Sequence, residues 1–228
     1  MSLAGKGAVA IWNDIAPEGR TEFYEWHDRE HMPERTGIPG FLRGRRYIAV
    51  HGTPQYFTLY EAESPTVLTG KDYLTRLNNP TPLTAKVVPA YFRNTSRGVC
   101  NVELSLGVGQ GGYIVTMRHG PAAGREADLR RYLIDTALPA ILERPAIVGA
   151  HLCIADREGS SIETAEKRGR EVGVPNWLVL IEGVDPDAAD AAAAALTAGM
   201  TGHGAASGIE TGLYSLQFSR AKTASSAG

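Results

Sequence analysis

One order of predicted elements, strand–helix–strand–strand–helix–strand, occurs twice along the 228 residues of this chain. This order is that of a ferredoxin-like unit, whose antiparallel sheet has both helices on one face. In the first half we predict strands over 7–15, 40–51, 55–63 and 96–106, helices over 21–35 and 65–77, and a short helical piece up to residue 91. In the second half we predict strands over 112–119, 147–155, 177–183 and 212–219, and helices over 126–142 and 186–200.

Individual residues of the two halves also correspond. Met32-Pro33 aligns with Leu138-Pro139 at the end of the first helix, and Pro65 aligns with Pro186 at the start of the second. The second half is longer, and its extra residues fall in the segment 156–172, which is rich in charged residues, Gly and Ser. The chain is therefore divided into a first repeat over 1–108, a linker over 109–112 and a second repeat over 113–228. The 156–172 insertion is either a lid over the barrel or a plain surface excursion.

The free face of each sheet determines how the two halves pack. A ferredoxin-like sheet has helices on one face only, so its other face must be covered. Without a cover, the side chains of Tyr56, Tyr60, Trp177 and Ile181 would be exposed to water. A second copy in the same chain supplies that cover. We therefore predict an α+β fold of two ferredoxin-like βαββαβ repeats, with antiparallel sheets packed face to face as a pseudo-two-fold α+β barrel.

Charge, hydropathy and cysteine content exclude several classes of partner. The net charge of −2 gives no overall field that would favour nucleic acid or an anionic membrane surface. No apolar stretch approaches the roughly 20 residues that span a bilayer. Cys100 and Cys153 form no CxxC pattern, which favours free thiols and a cytoplasmic protein. The small, polar segment 223–228 is expected to fray.

The barrel interior is the first candidate site, because strands send alternate side chains to opposite faces. On the third strand, the apolar pair Phe57 and Leu59 is expected to face the helices, which sends Tyr56, Thr58 and Tyr60 inward. The inward set from the other strands is predicted as Arg43, Arg45, Tyr47, His51, Gly149, His151, Cys153, Trp177, Val179 and Ile181. These side chains either form a pocket for a flat or apolar molecule with an anionic group, or fill the barrel and pair with Glu61, Glu103 or Glu182.

The strongest chemical signal is the segment Trp26 to Pro33, in which His27 and His31 share one helix face. Three interpretations stay open. One histidine is a general acid/base; or the pair binds a metal with a third ligand from His51, His151 or Asp14; or both histidines pack and cap the helix end. The aligned residues of the second half are Leu133 and Ala137, which points to a single site in the chain.

The same segment resembles the dimeric α+β-barrel superfamily, and within it the EthD-like proteins. Their mark is a helix ending in His-x-Pro, followed by a Pro-Gly-aromatic turn into a strand with basic and aromatic residues. Here these features are His31-Met32-Pro33, then Pro39-Gly40-Phe41, then the strand from Arg43 to Tyr47. The resemblance implies that a small organic molecule binds in the barrel or beside the first helix. By this resemblance, His31 is the first residue to which the functional role of the family's histidine is assigned. His27 is an additional histidine that the resemblance supports less.

The superfamily includes cofactor-free monooxygenases, isomerases, polyketide cyclases and tandem haem enzymes. We accordingly predict a cofactor-independent enzyme that acts on a small aromatic or polyketide-like carbonyl compound, with His31 and His27 as acid/base residues. The predicted substrate-binding residues are Arg43, Arg45, Tyr47, Tyr56, Tyr60, Trp12 and His151. No metal or other cofactor is predicted, and a homodimer is compatible with the sequence. The alternatives are a non-catalytic protein that binds a small molecule and, third, a haem or metal enzyme.

Overall fold

The computed structural model describes residues 2–222, so the segment 223–228 lies outside the described residues. The strands of the first half are β1 Gly7–Ile15, β2 Phe41–His51, β3 Tyr56–Ala62 and β4 Phe92–Gly107, and its helices are α1 Arg20–Trp26, α2 Met32–Gly37, α3 Lys71–Asn78 and α4 Pro82–Tyr91. The strands of the second half are β5 Tyr113–His119, β6 Ile147–Ala155, β7 Trp177–Gly183 and β8 Glu210–Ala221, and its helices are α5 Glu126–Tyr132, α6 Leu138–Leu142, α7 Arg157–Ser161 and α8 Pro186–Gly202. Among residues 2–222, no helix is long and apolar enough to cross a membrane.

The eight strands form one closed antiparallel barrel in the order β1-β3-β2-β8-β5-β7-β6-β4. Each half contributes its fourth, first, third and second strands side by side, which is the ferredoxin-like order. The halves join twice, because β2 pairs with β8 and β4 pairs with β6. These two junctions are equivalent, since each joins the second strand of one half to the fourth strand of the other. The predicted pseudo-two-fold α+β barrel is therefore confirmed.

The first helix of each half contains the same irregularity. A single π-helical turn, His27–His31, lies between α1 and α2, and another, Leu133–Ala137, lies between α5 and α6. Pro33 and Pro139 each lie two residues after the last residue of these turns. A proline in a helix has no N–H to donate and clashes with the carbonyl four residues earlier, and a π turn relieves that clash. The aligned prolines thus place the same bulge in both halves, and in the first half it contains both histidines.

The prediction of which side chains face the barrel interior is correct for Arg43, Arg45 and Tyr47 of β2 and wrong for β3. Tyr47 lies opposite Phe57, and Arg45 lies opposite Leu59. Residues directly opposite on paired strands share a face of the sheet. Phe57 and Leu59 therefore face the interior, where they pack with Trp12 and Tyr47.

The other set of β3, formed by Tyr56, Thr58 and Tyr60, lies under the helices. Both faces of β3 are buried, so alternation separates its two sets of side chains without showing which set is inside. A tyrosine hydroxyl can also find a hydrogen-bond partner under the helices, since the hydroxyl of Tyr56 lies 2.8 Å from the hydroxyl of Tyr24. The same correction holds in the second half, where the residues that face the helices are Trp177, Val179 and Ile181.

The barrel interior is packed and its charges are paired. Arg45 and Glu182 are both fully buried and form two hydrogen bonds of 2.8 and 3.1 Å. Arg45 also donates to Glu61 at 3.0 Å, and Arg43 donates to both oxygens of the same carboxylate. His151 lies 3.4 Å from Glu182. These side chains therefore fill the barrel and pair with Glu61 and Glu182, as the second of the two interpretations predicted.

The pairing predicted for Glu103 and the inward position predicted for His51 also differ from the structure. Glu103 bonds Arg130 on the surface and takes no part in the interior network. His51 is also outside, because β2 reaches the end of the barrel there, and its Nε2 lies 2.5 Å from Asp190. Cys100 and Cys153 are free and buried.

Candidate functional site

A cavity lies in the first half, between the sheet and the helices α1 and α2, on the side of the sheet away from the barrel interior. About 80 Å³ of it is open to the centre of a water molecule, within about 580 Å³ of unfilled space that includes the mouth. This size suits one small organic ring. The residues that line the cavity include Ile11, Asn13, Trp26, His27, His31, Arg35, Thr58, Tyr60, Tyr73, Phe92, Thr95, Arg97, Glu166 and Arg170.

The two histidines lie side by side on the helix wall of this cavity. Their ring centroids are 5.6 Å apart with an interplanar angle of 32°. The ring of Trp26 lies 4.3 Å from that of His31, and Phe23 lies 5.2 Å from His27. The π turn extends this part of the helix, so that residues four apart present both rings to the same space.

Arg46 determines which nitrogen of His27 is protonated. Its Nη1 lies 3.0 Å from Nδ1 of His27, and a guanidinium can only donate, so Nδ1 accepts and the proton is on Nε2. Arg46 is itself held by an ion pair with Asp28. Burial lowers the pKa of His27 well below its usual value, and the positive charges of Arg46 and Arg35 lower that pKa further. His27 is therefore a neutral hydrogen-bond donor at neutral pH.

His31 is also neutral, and it is available to a ligand. Burial lowers the pKa of His31 well below its usual value, and the charge of Arg35 adds to the effect. Within residues 2–222, its buried Nδ1 and the buried hydroxyl of Tyr60 have no hydrogen-bond partner. Burial also raises the pKa of Tyr60, which keeps its hydroxyl protonated. Buried polar groups without partners are uncommon, and a ligand that supplies the missing bonds is one explanation.

The 156–172 insertion of the second half forms the outer wall of this first-half cavity. We call residues 156–172 the strap. The carboxylate of Glu166 on the strap forms an ion pair with Arg35, which is 2% exposed. The backbone N–H of Glu166 donates a hydrogen bond to the carbonyl of Leu77. Arg170 bonds Thr95 of β4 at 2.9 Å. The strap therefore covers the cavity beside the first helix and not the barrel, a position that differs from both predicted alternatives.

The structure divides the predicted site residues between two regions. His27, His31 and Tyr60 line the cavity. Tyr56 lies nearby on the same face of the sheet, 5.0 Å from the ring of Phe23. The residues in the packed barrel interior, across the sheet from the histidines, are Arg43, Arg45, Tyr47, Trp12 and His151.

Sequence reasoning missed Asn13, Arg35, Arg97, Glu166 and Arg170, all of which line the cavity. Arg35 follows His31 by one further helical step of four residues, a spacing that could have linked it to the histidine face. The other four come from two strands and from the strap. Nothing in the local sequence brings them together.

The second half has no comparable set of polar residues at the aligned positions. Leu133 and Ala137 replace the histidines, and Ile181 replaces Tyr60. These side chains pack with Trp177 in a single apolar core between sheet and helices. The asymmetry seen in the sequence is therefore also present in three dimensions.

His119, which aligns with Asn13, is buried there and neither ring nitrogen has a partner within residues 2–222. Burial lowers the pKa of His119 to about 4. An unfolded histidine titrates near 6.5, so the unfolded state binds more protons between pH 6.5 and 4, and stability falls as the pH falls through that window.

We expect His119→Leu to reduce the loss of unfolding free energy between pH 7 and 5 by about 1–2 kcal/mol, measured by urea unfolding. An equal pH dependence in variant and wild type would contradict this. The exposed His203→Leu is the control.

The metal interpretation lacks its third ligand. Of the three candidates, His51 is on the surface, His151 is in the barrel interior, and Asp14 accepts bonds from Gln55 and Asn94. Within residues 2–222, no group of three or more His, Cys, Asp or Glu side chains is arranged to hold a metal ion.

Neither a protein-family model nor a curated protein matches this sequence. Solved structures match over nearly the whole chain. A candidate monooxygenase from Fusobacterium nucleatum has 9% identity and a TM-score of 0.63, with 96% of each chain covered. An anthrone oxidase-like protein has 12% identity and a TM-score of 0.64, with 97% of this chain and 95% of that chain covered. A haem-binding protein from Thermus thermophilus has 12% identity and a TM-score of 0.50, with 94% and 92% covered. The chain therefore shares its fold, a closed barrel of two ferredoxin-like halves, with these structures.

Proposed function

We propose that this barrel protein is a cofactor-independent enzyme that removes a proton from a small aromatic carbonyl compound held in the cavity beside the first helix. The observation that supports this most is the pair of neutral, buried histidines that face the same space as the hydroxyl of Tyr60, which has no hydrogen-bond partner within residues 2–222. The proposed site is the histidine cavity and not the barrel interior, because the interior arginines are already paired with carboxylates.

The proposed chemistry begins with His31 as the base. A carbonyl group acidifies the C–H bond next to it, and His31 takes that proton while the electron pair moves onto the carbonyl oxygen as an enolate. The Tyr60 hydroxyl donates a hydrogen bond to this oxygen, and the charge of Arg35 stabilises it. A lowered pKa makes an isolated imidazolium unfavourable, but the enolate forms beside it and offsets that cost. His27 donates from Nε2 and orients the substrate.

Three reaction types share this first step. An isomerase returns the proton to another carbon, and a cyclase uses the enolate to attack a second carbonyl. With dioxygen as co-substrate, an activated ring CH₂ and one O₂ give a ring C=O and one water, so atoms and electrons balance without a cofactor. Structural similarity to a candidate monooxygenase and to an anthrone oxidase-like protein supports the oxidative type among these.

Hydrogen–deuterium exchange tests the shared first step directly. The protein is incubated in D₂O under argon with the one-ring ketones propiophenone and 4-hydroxypropiophenone, and proton NMR follows the signal of the CH₂ next to the carbonyl. We expect exchange at least about tenfold faster than with heat-denatured protein. Admission of air then tests for oxygen consumption. Exchange no faster than in the control for all ketones would contradict the proposed function, and binding without exchange would favour the non-catalytic binding protein.

A haem enzyme is the third alternative, and the cavity does not suit it. The open space of about 80 Å³ has room for a single small ring, and a haem macrocycle would clash with Trp26, Tyr60 and Phe92. The strap closes the same space through the ion pair between Glu166 and Arg35. Titration with haemin separates the alternatives, because a shifted Soret band that His31→Ala abolishes would support the haem interpretation over the proposed function.

A further inference from the structure

We infer that the mouth of the histidine cavity binds a carboxylate through Arg97 and Arg170, so that the substrate of the proposed enzyme is a one-ring aromatic carboxylate. This inference deepens the proposed function, since the same ligand would place its ring against the histidines. The arginines that recognise the acid differ from Arg43 and Arg45 of the barrel interior, which the sequence suggested for an anionic group.

The charges around the cavity are unbalanced. Its walls contain three guanidinium groups, those of Arg35, Arg97 and Arg170, and a single carboxylate, that of Glu166. Glu166 forms its ion pair with Arg35, which also lies 3.5 Å from the carboxylate of Glu34 outside the cavity lining. An anionic ligand would therefore enter a space with excess positive charge, where Arg97 and Arg170 form no ion pair with any carboxylate of residues 2–222.

Arg97 and Arg170 donate only to neutral oxygens within residues 2–222. Arg97 bonds the hydroxyl of Tyr73 at 2.9 Å, and Arg170 bonds Thr95 at 2.9 Å and the carbonyl of Glu166 at 3.3 Å. Both side chains are partly buried, and removing a charge from water is costly unless a counter-charge is supplied. Burial lowers the pKa of Arg170, and the charge of Glu166 offsets only part of that effect. A carboxylate from a ligand would supply the missing counter-charge in the fork geometry that arginine favours.

The basic mouth and the histidines share one aromatic wall, and this limits the length of the ligand. The guanidinium of Arg170 lies 5.5 Å from the ring centroid of Phe92, and Phe92 lies 5.8 Å from Trp26. Trp26 in turn lies 4.3 Å from His31. A single ring packed against Phe92 and Trp26 would place one substituent near Arg170 and the opposite one near His31. The small cavity volume agrees with one ring.

The test compares two probes of nearly equal shape, 4-hydroxybenzoate and its uncharged amide, 4-hydroxybenzamide, by isothermal titration calorimetry with the full chain. We expect the acid to bind at least about tenfold more tightly than the amide. The double variant Arg97→Gln/Arg170→Gln should bind both probes equally and weakly. The matched control is Arg131→Gln, an exposed arginine of the second half, which should keep the preference for the acid.

In the double glutamine variant, removal of Arg170 could detach the strap from Thr95 and so abolish binding without testing carboxylate recognition. A second variant is therefore needed. Arg97→Lys/Arg170→Lys keeps both charges and should retain a preference of at least about threefold for the acid. Equal binding of acid and amide by the wild type would overturn the inference, as would the absence of binding by either probe. An equal loss of preference in Arg131→Gln would also overturn it, by showing a general field effect.

The outcomes also separate this inference from the proposed function. If the acid is preferred but no ketone exchanges its protons, the proposed function fails and the carboxylate site stands. If ketones exchange but acid and amide bind alike, the carboxylate site fails and the proton-transfer function stands.

Discussion

Replacement of Glu182 by leucine is expected to lower the free energy of unfolding by about 3–5 kcal/mol, because the fully buried guanidinium of Arg45 loses its main partner. Glu61 remains bonded to Arg45 but also serves Arg43, so it compensates only in part. Urea unfolding at pH 7, followed by circular dichroism, measures the change. A loss below about 1 kcal/mol would show that water or relaxation supports the unpaired arginine.

A double-mutant cycle separates the ion pair from the packing around it. Arg45→Met alone should also be strongly destabilising, since it leaves the buried carboxylate of Glu182 with His151, 3.4 Å away, as its remaining side-chain partner. The double variant Arg45→Met/Glu182→Leu should be less destabilised than the sum of the two single variants by at least about 1 kcal/mol. The exposed pair Arg125 and Asp128 is the matched control, with an expected coupling of about 0.5 kcal/mol or less. Additive effects at the buried pair would contradict the assigned role.

The ion pairs of Glu182 also predict that the free energy of unfolding falls at a lower pH than the loss expected from His119. Burial raises the pKa of Glu182, but the hydrogen bond with His151 and the charge of Arg45 outweigh this and lower the pKa to about 2. The stability from Glu182 is thus complete above its unfolded pKa near 4.5 and is lost as the pH falls from there towards 2. Loss from His27, His31 and His119, whose pKa values burial lowers, begins earlier, below about pH 6.5.

Replacement of His31 by alanine is expected to reduce the rate of proton exchange in the ketone substrate by about 10²- to 10⁴-fold, the usual contribution of a general base. His31 is the base in the proposed mechanism, while His27 keeps its Nδ1 bonded to Arg46. His27→Ala should cost less, about tenfold, because it removes a donor and not the base. The measurement is the single-turnover rate of exchange under argon.

Two controls separate a catalytic role of His31 from a structural one. Circular dichroism of His31→Ala should match the wild type, because its buried Nδ1 bonds no other group within residues 2–222. Thermal unfolding should show only the loss of the ring packed against Trp26. Imidazole added to His31→Ala should restore part of the exchange rate if the alanine leaves space for it. Unchanged exchange in a folded His31→Ala protein would remove His31 from the mechanism.

The amino-acid sequence by itself determined the architecture. The repeated βαββαβ order, the aligned prolines and the apolar free faces of the sheets led to a closed barrel with a pseudo-two-fold axis, and the structure has it. The reason is physical: strand and helix periodicity and proline geometry are local properties, and covering two apolar sheet faces has few solutions. The aligned prolines also showed from the sequence alone that Leu133 and Ala137 of the second half stand where the first half has His27 and His31.

Only the tertiary structure decided where the candidate site lies. Alternation along β3 divides its side chains into two sets, but the pairing of Tyr47 with Phe57 determines which set faces the interior. That pairing separates Arg43 and Arg45 from the histidines. The contribution of Glu166 and Arg170 depends on the strap crossing from the second half to the first, a long-range contact that no local pattern encodes. Sequence thus specified the scaffold, and packing between distant segments assembled the cavity.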